Sequence, residues 1–203
     1  MIRLLLATNN PGKLHELVPL LSDLPLHIVT PHALGLHLAV EEIGTTYAEN
    51  ARLKAVAFAQ ASGLLTLADD SGLEVDVLSG APGVYSARYA GKEASDADRR
   101  AKLIDVLRQV PAPRQARFRC VIAIAQPGGA IDYFEGACAG EISLEERGVN
   151  GFGYDPVFSL PEHGCTMAEL SSAMKNQMSH RARRPWWRVC SSTSWRPTTA
   201  DRS

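Results

Sequence analysis

Residues 67–76 read LADDSGLEVD: an apolar run that ends in two neighbouring aspartates, then a serine and a glycine. Adjacent like charges repel. Such a pair either lies in a solvated turn or has a chemical task, holding a metal ion or a proton. A second acidic pair, Glu41-Glu42, lies upstream. Magnesium takes oxygen ligands in octahedral geometry, usually one or two carboxylates, with waters and substrate phosphates completing the shell. Glu41 or Glu42 with Asp69 or Asp70 meets that demand, although Glu41-Glu42 alone also reads as a solvated loop.

Three further stretches carry chemistry-bearing residues. ATNNPGK, Ala7 to Lys13, joins a strand end, a polar turn, a glycine and a lysine just inside a helix start. Backbone N–H groups there, at the positive end of a helix, bind anions, and Lys13 adds a point charge. The spacing is not that of a Walker A loop, and a capped helix after a strand has the same look. GFGYDP, residues 151–156, has glycines for close backbone approach and Phe152 or Tyr154 as a stacking face for a nucleobase. The bland alternative is an aromatic-glycine turn. KNQMSHR, 175–181, gathers Lys175, His180 and Arg181, and otherwise reads as a surface basic cluster.

These stretches need elements to position them. IRLLLAT, 2–8, is a short apolar run stopped by turn residues, hence a buried strand. Residues 11–22 read as a helix with Leu14, Leu17, Val18 and Leu21 on one face, and Pro19 calls for a kink or an early end. LHIVT, 26–30, is a second strand, so the opening is a strand–helix–strand unit with a parallel pair. Residues 45–62 form the clearest helix. Thr46 and Glu49 have capping-box spacing, Gly63 fits the C-cap, and Leu53, Val56, Ala57 and Ala61 form a small-residue stripe. LLTLA then places Asp69-Asp70 at the C-terminal end of a strand, where open α/β sheets bind ligands. A Gly/Pro-rich loop spans 80–91. A helix capped by Ser95 or Asp96 spans 95–110, and a hairpin turns at Pro127-Gly128-Gly129.

At 203 residues the chain is long enough for one self-sufficient domain. Its net charge of −1 lacks the basic excess of a nucleic-acid binder, but leaves room for a small phosphorylated ligand. The four cysteines are dispersed without a C-x-x-C pair, so neither a zinc site nor a disulfide framework is indicated. The apolar run near the N-terminus is too short for a signal peptide or a membrane span, and a cytoplasmic soluble protein is expected.

TNNPGK, EE, YAENARLKA, ADDSGLEVDVLSGAPGVYSARYAG, GFGYDPVF and KNQMSHR, in this order, resemble the inosine/xanthosine triphosphate pyrophosphatases of bacterial type. The resemblance runs from residue 2 to about residue 182. It implies an elongated α/β protein, related to Maf, with a mixed sheet and two lobes around a nucleotide cleft. It implies a homodimer, dependence on Mg2+, and hydrolysis of ITP, dITP or XTP to the monophosphate and pyrophosphate. By that resemblance Thr8, Asn9, Asn10, Pro11, Gly12 and Lys13 hold the triphosphate. Asp70 is the proton acceptor and a metal ligand, Glu41 the second carboxylate, and Ser71 a substrate contact. Phe152, Gly153, Tyr154 and Asp155 line the base pocket with Phe152 stacking, and Lys175, His180 and Arg181 complete the site.

Residues 183–203 depart from that pattern. They hold all three tryptophans, five arginines and two prolines, with no helical or strand period. Pro185 interrupts the terminal helix that the resemblance implies, and the composition resembles translation in a wrong reading frame. An altered C-terminus offers a second reading of the chain, as a nucleotide-binding protein with impaired turnover. Hydrolysis of modified pyrimidine triphosphates, as in Maf-like proteins, is a third, against which GFGYDP weighs.

Overall fold

The computed structural model describes residues 1–181. The Arg/Trp-rich segment 183–203, where an interruption of the terminal helix is expected, lies outside the described residues, and Cys190 with it. The strands are β1 (Ile2–Leu6), β2 (Leu26–Val29), β3 (Leu65–Val75), β4 (Gln115–Ala125), β5 (Ile131–Ile142), β6 (Phe158–Leu160) and β7 (Cys165–Thr166). The helices are α1 (Pro11–Leu20), α2 (Tyr47–Ser62), α3 (Asp96–Leu107) and α4 (Ser172–Met178). Among the described residues one mixed sheet forms, in the order β2-β1-β3-β4-β5-β6-β7. β1 is parallel to β2 and β3, and every later pairing is antiparallel. No described helix is long and apolar enough to cross a membrane.

Period-two alternation sorts the first half of the sheet onto two faces. Leu4, Leu6, Leu65, Leu67, Ile122 and Ile124 meet Leu17 of α1 and Leu21 just past its end on one side. Leu5, Ala7, Ala68, Val121, Ala123 and Ala125 meet α2 on the other. The second half has its own core of Leu73, Leu103, Leu107, Phe118, Val157 and Phe158. Each buried leucine contributes about 1.5–3 kcal/mol of apolar burial. The two ends of one sheet thus carry separate cores, and the cleft opens between them.

Local signals explain several boundaries. Asn10 caps α1 by accepting from the Lys13 N–H at 3.1 Å. The helix ends at Leu20, one residue past Pro19. Val18 is 41 % exposed, so it leaves the apolar face that the spacing implies. Thr46 and Glu49 close a capping box on α2, and Gly63 ends it in the left-handed conformation at φ 66°. The buried face of α2 is Ala51, Ala55, Phe58 and Ala59 rather than the stripe at 53, 56, 57 and 61. Alanines at i, i+4 and i+8 let the helix lie close on the sheet, and Phe58 adds the bulk that a purely small-residue stripe lacks.

The largest departure from expectation is β3. It does not stop at Ala68 but runs through Asp69-Asp70-Ser71-Gly72 to Val75, because β4 pairs with it from Thr66 to Val75. Tertiary pairing overrides the turn-like chemistry of the four residues. Only the parallel neighbour stops: β1 matches β3 from Leu65 to Leu67. The acid pair therefore lies mid-strand, just past the end of β1. The 80–91 loop also contains a short 3₁₀ helix, Gly83–Arg88.

Candidate active site

The end of β1 leaves an edge of β3 open, and a cleft of about 480 Å³ forms there. Thr8, Asn9, Asn10 and Lys13 line it from the turn into α1, Asp70 and Ser71 from β3, and Phe152 to Asp155 from the glycine-rich turn. Lys175, His180 and Arg181 close it. Two residues of the α1 turn stand back: Pro11 is exposed as the first helical residue, and Gly12 lies beneath the Phe152 ring. A Cβ on Gly12 would come within 2.5 Å of that ring.

Of the upstream acids the structure brings Glu42 to the cleft, whereas Glu41 is exposed and not among the lining residues. Glu42 accepts from Lys54 Nζ at 2.5 Å, and the same ammonium lies 3.7 Å from Asp70 Oδ1. Three groups that sequence reasoning left unassigned thereby enter the site: Lys54, Asn50 and Glu16. Asn50 is fully buried. Its Nδ2 donates to Asp70 Oδ2 at 3.2 Å, and its Oδ1 accepts the Gly44 N–H at 2.8 Å. It thus ties Asp70 to the segment that carries Glu42. Asn50 and Lys54 sit one helical turn apart in YAENARLKA, and that i, i+4 pairing of polar groups was the available signal. Glu16 follows Lys13 at i+3 on α1, next to buried Leu17.

The two aspartates have different surroundings. Asp69 is buried, and its Oδ2 lies 3.1 Å from Lys13 Nζ and accepts from Arg181 Nη2 at 3.0 Å. Burial opposes its ionisation, but Lys13, Arg181 and Lys54 outweigh burial and hold the carboxyl well below the usual carboxylate range. Asp70 goes the other way. Burial pushes it up and Glu42 adds to the push, against the pull of Lys54. Neighbouring acids with pKa values driven apart mark a division of labour: one stays a fixed anion, the other takes up a proton more readily.

Behind Asp69 lies a buried charge network. Arg181 Nη1 donates to Glu16 Oε2 at 2.5 Å and Nη2 to Ser71 Oγ at 2.7 Å. Lys175 Nζ lies 2.6 Å from Glu16 Oε1 and also pairs with Asp155. Burial works against the Glu16 carboxylate, but Arg181 and Lys175 outweigh it and its pKa is lowered. The Phe152 ring carries Lys175 Nζ 5.0 Å from its centroid and the Arg181 guanidinium carbon 5.9 Å away. His180 stacks on Phe118 at 5.2 Å, and neither ring nitrogen has a hydrogen-bond partner among the described residues. Burial, with Arg181 beside it, pushes the imidazole well below its ordinary value, so it is neutral. Tyr154 lines the cleft but is buried, its hydroxyl donating to the Ser86 carbonyl at 2.9 Å, which leaves Phe152 as the open ring.

Chemically, the arrangement offers ammonium groups and backbone N–H for an anion, and close by an aromatic face with adjacent donors. Among the described residues no three His, Cys, Asp or Glu side chains form a metal cluster. Asp70 and Glu42 are hard oxygen donors that already converge on one ammonium. Two carboxylates fit magnesium, which fills its shell with water and phosphate.

A model of the Ham1 family matches residues 4–184. The chain is 52% identical over 183 residues to the dITP/XTP pyrophosphatase of Desulforamulus reducens, covering 90% of this chain and 91% of that one. It is 50% identical to that of Geobacter sulfurreducens, covering 90% and 92%. In structure it resembles a HAM1 protein from Coxiella burnetii, with a TM-score of 0.82, 44% identity, and coverage of 90% and 94%. The Staphylococcus aureus Ham1 protein gives 0.78 at 43% identity, covering 88% and 92%. The overall fold is thus shared with these structures, and this chain belongs to the Ham1 family.

Proposed function

We propose that this protein hydrolyses non-canonical purine nucleoside triphosphates (ITP, dITP and XTP) to the monophosphate and pyrophosphate, removing them from the nucleotide pool. The observation that carries the reading is the split acid pair. Asp69 is locked to Lys13 and Arg181, while Asp70, beside Lys54 and Asn50, faces the cleft with its pKa raised. The names of the relatives support the same chemistry.

In this reading the Thr8–Lys13 turn and Lys54 bind the triphosphate. Asp70 orients a water for in-line attack on the α-phosphorus and accepts its proton as the bond to the bridging oxygen breaks and pyrophosphate leaves. Asp70 and Glu42 would hold Mg2+, which when bound neutralises phosphate charge. Phe152 stacks on the base. Hypoxanthine and xanthine present an acceptor oxygen where adenine presents an amine, so a base pocket that aims hydrogen-bond donors at that position disfavours ATP. GTP shares that oxygen and is rejected less strongly. A homodimer and a cytoplasmic location complete the proposal, and −1 net charge accords with a nucleotide rather than a nucleic acid as partner.

The test is pyrophosphate release from ITP, with ATP and GTP beside it, for the full chain and Asp70→Asn. Loss of general-base catalysis lowers kcat by about 10²–10⁴-fold. Equal turnover of ITP and ATP, or an Asp70→Asn variant as fast as the parent, refutes the proposal. ITP binding without turnover in the full chain would instead favour a nucleotide-binding protein with a disturbed C-terminus.

A further inference from the structure

We infer that Asp96 and Arg100, in the first turns of α3, are positioning residues that hold the two peptide groups of Gly153, next to Phe152, and so set how tightly the base of the substrate is gripped. The inference rests on the proposed function for its substrate and deepens it. α3 otherwise serves the second core through Leu103 and Leu107, and nothing in the sequence reading gave it a role in the site.

The geometry is a clamp on one glycine. Asp96 Oδ2 accepts the Gly153 N–H at 2.7 Å, and Arg100 Nη1 donates to the Gly153 carbonyl at 2.9 Å. The two residues are at i and i+4, on one face of the helix. Gly153 sits at φ 61°, the left-handed region, and has no side chain to fix its own orientation. Its direction is therefore set from outside. On the other side of Phe152, its N–H donates to Asp155 Oδ2 at 2.8 Å. The Phe152 backbone is pinned from both sides, and its ring is held over Gly12. Releasing Asp96 frees the peptide on which that ring depends.

The clamp is itself braced. Arg99 pairs with Asp96 and donates to the Ala87 carbonyl, and Arg100 Nη2 lies 3.0 Å from Glu146 Oε2. Burial opposes ionisation of Asp96, but the Gly153 N–H and Arg99 outweigh it and lower its pKa, as befits a permanent acceptor. The α3 N-terminus does not depend on Asp96 for capping, because Ser95 and Asp98 form the capping box. Removal of the Asp96 side chain should therefore loosen the turn without unwinding the helix.

The experiment measures KM and kcat for ITP, and inhibition by inorganic tripolyphosphate, in Asp96→Ala, Asp96→Asn and Arg100→Met. Asp96→Ala is expected to raise KM about tenfold, the loss of one partly buried hydrogen bond to a charged group, with kcat within about twofold. Tripolyphosphate, which has no base, should inhibit as before. Asp96→Asn keeps a carbonyl acceptor and should recover most of the loss. Unchanged KM in Asp96→Ala overturns the inference, and so does equal weakening of tripolyphosphate. An asparagine variant as poor as the alanine one also overturns it, because the charge would then act on the substrate directly. Hydrogen exchange of the Gly153 amide gives a reading independent of turnover: faster in Asp96→Ala, with the Leu103 and Leu107 amides unchanged. Slow exchange at Gly153 in that variant refutes the clamp. A parent protein that does not hydrolyse ITP refutes the proposed function and leaves this reading to decide the clamp. If Asp96→Ala does not fold, Arg100→Met carries both measurements.

Discussion

Replacing Glu16 by glutamine keeps the shape of the buried network and removes one charge from it. Glu16 is 4% exposed and its two oxygens serve two cations, Lys175 at 2.6 Å and Arg181 at 2.5 Å. Each cation has one other carboxylate, Asp155 and Asp69 respectively. A glutamine can offer its carbonyl to one cation only, and its amide N–H groups then point at the other. Removing one partner of a buried pair costs about 3–5 kcal/mol, because a charge is left uncompensated away from water. At about 2–4 °C per kcal/mol for a chain of this size, the melting temperature falls by about 6–20 °C. Urea denaturation followed by circular dichroism should show a lower midpoint with an unchanged slope. The pH dependence carries a sign. The folded-state pKa of Glu16 lies below its unfolded value, so its stabilisation is present above that value and lost as pH falls through the folded pKa. The difference between parent and variant should therefore shrink in acid. Lys175→Met should also cost less in the Glu16→Gln background than in the parent. A cost under about 1 kcal/mol at neutral pH, the range of ordinary surface changes, refutes the picture of a desolvated network.

Asn50→Leu leaves the Gly44 N–H and an Asp70 oxygen unpaired, and should cost about 1–3 kcal/mol in denaturation while lowering kcat for ITP. Gly72→Ala drives a Cβ to 2.6 Å from Ser86 Oγ and onto the Gly83 carbonyl, and overpacking there should destabilise by about 1–3 kcal/mol. His180 refuses a proton that the unfolded chain accepts, so stability should decline as pH falls below 6.5, with a slope of up to about 1.4 kcal/mol per pH unit. His180→Phe, which keeps the stack on Phe118, should flatten that decline in pH-dependent melting curves.

What could be read from the chain was local. The Thr46–Glu49 box, Gly63 and the turn at Pro127-Gly128-Gly129 announce themselves because their chemistry is contained within a few residues. The length of β3 was not legible, since Asp69 to Gly72 carry turn chemistry and only the distant β4 makes them a strand. The buried face of α2 was misplaced for a related reason: small residues recur all round that helix, and the sheet selects which of them to cover. In the site, quoted motifs supplied Lys13, Asp70, Phe152 and Lys175 at the cleft. Glu42 rather than Glu41 reaches it because Lys54 and Asn50 organise that segment. Glu16 was hidden because its partners lie about 160 residues away, a separation that no local pattern encodes.

β3 changes neighbours halfway along, and this has a consequence for how the lysines are held. Past the end of β1, the main-chain oxygen of Asp69 accepts Lys54 Nζ at 2.7 Å and Lys13 Nζ at 3.3 Å. One anchor that both ammonium groups share, beside their carboxylate partners, is thus a peptide carbonyl, which every amino acid at position 69 would supply. Lysine placement is written partly in where a strand stops rather than in which residues surround it. Lengthening β1 by two residues would compete for that carbonyl and scatter both cations, though no side chain facing the cleft had changed. Insertions in the 7–10 turn are therefore a more dangerous kind of variation for this fold than many substitutions within the cleft itself.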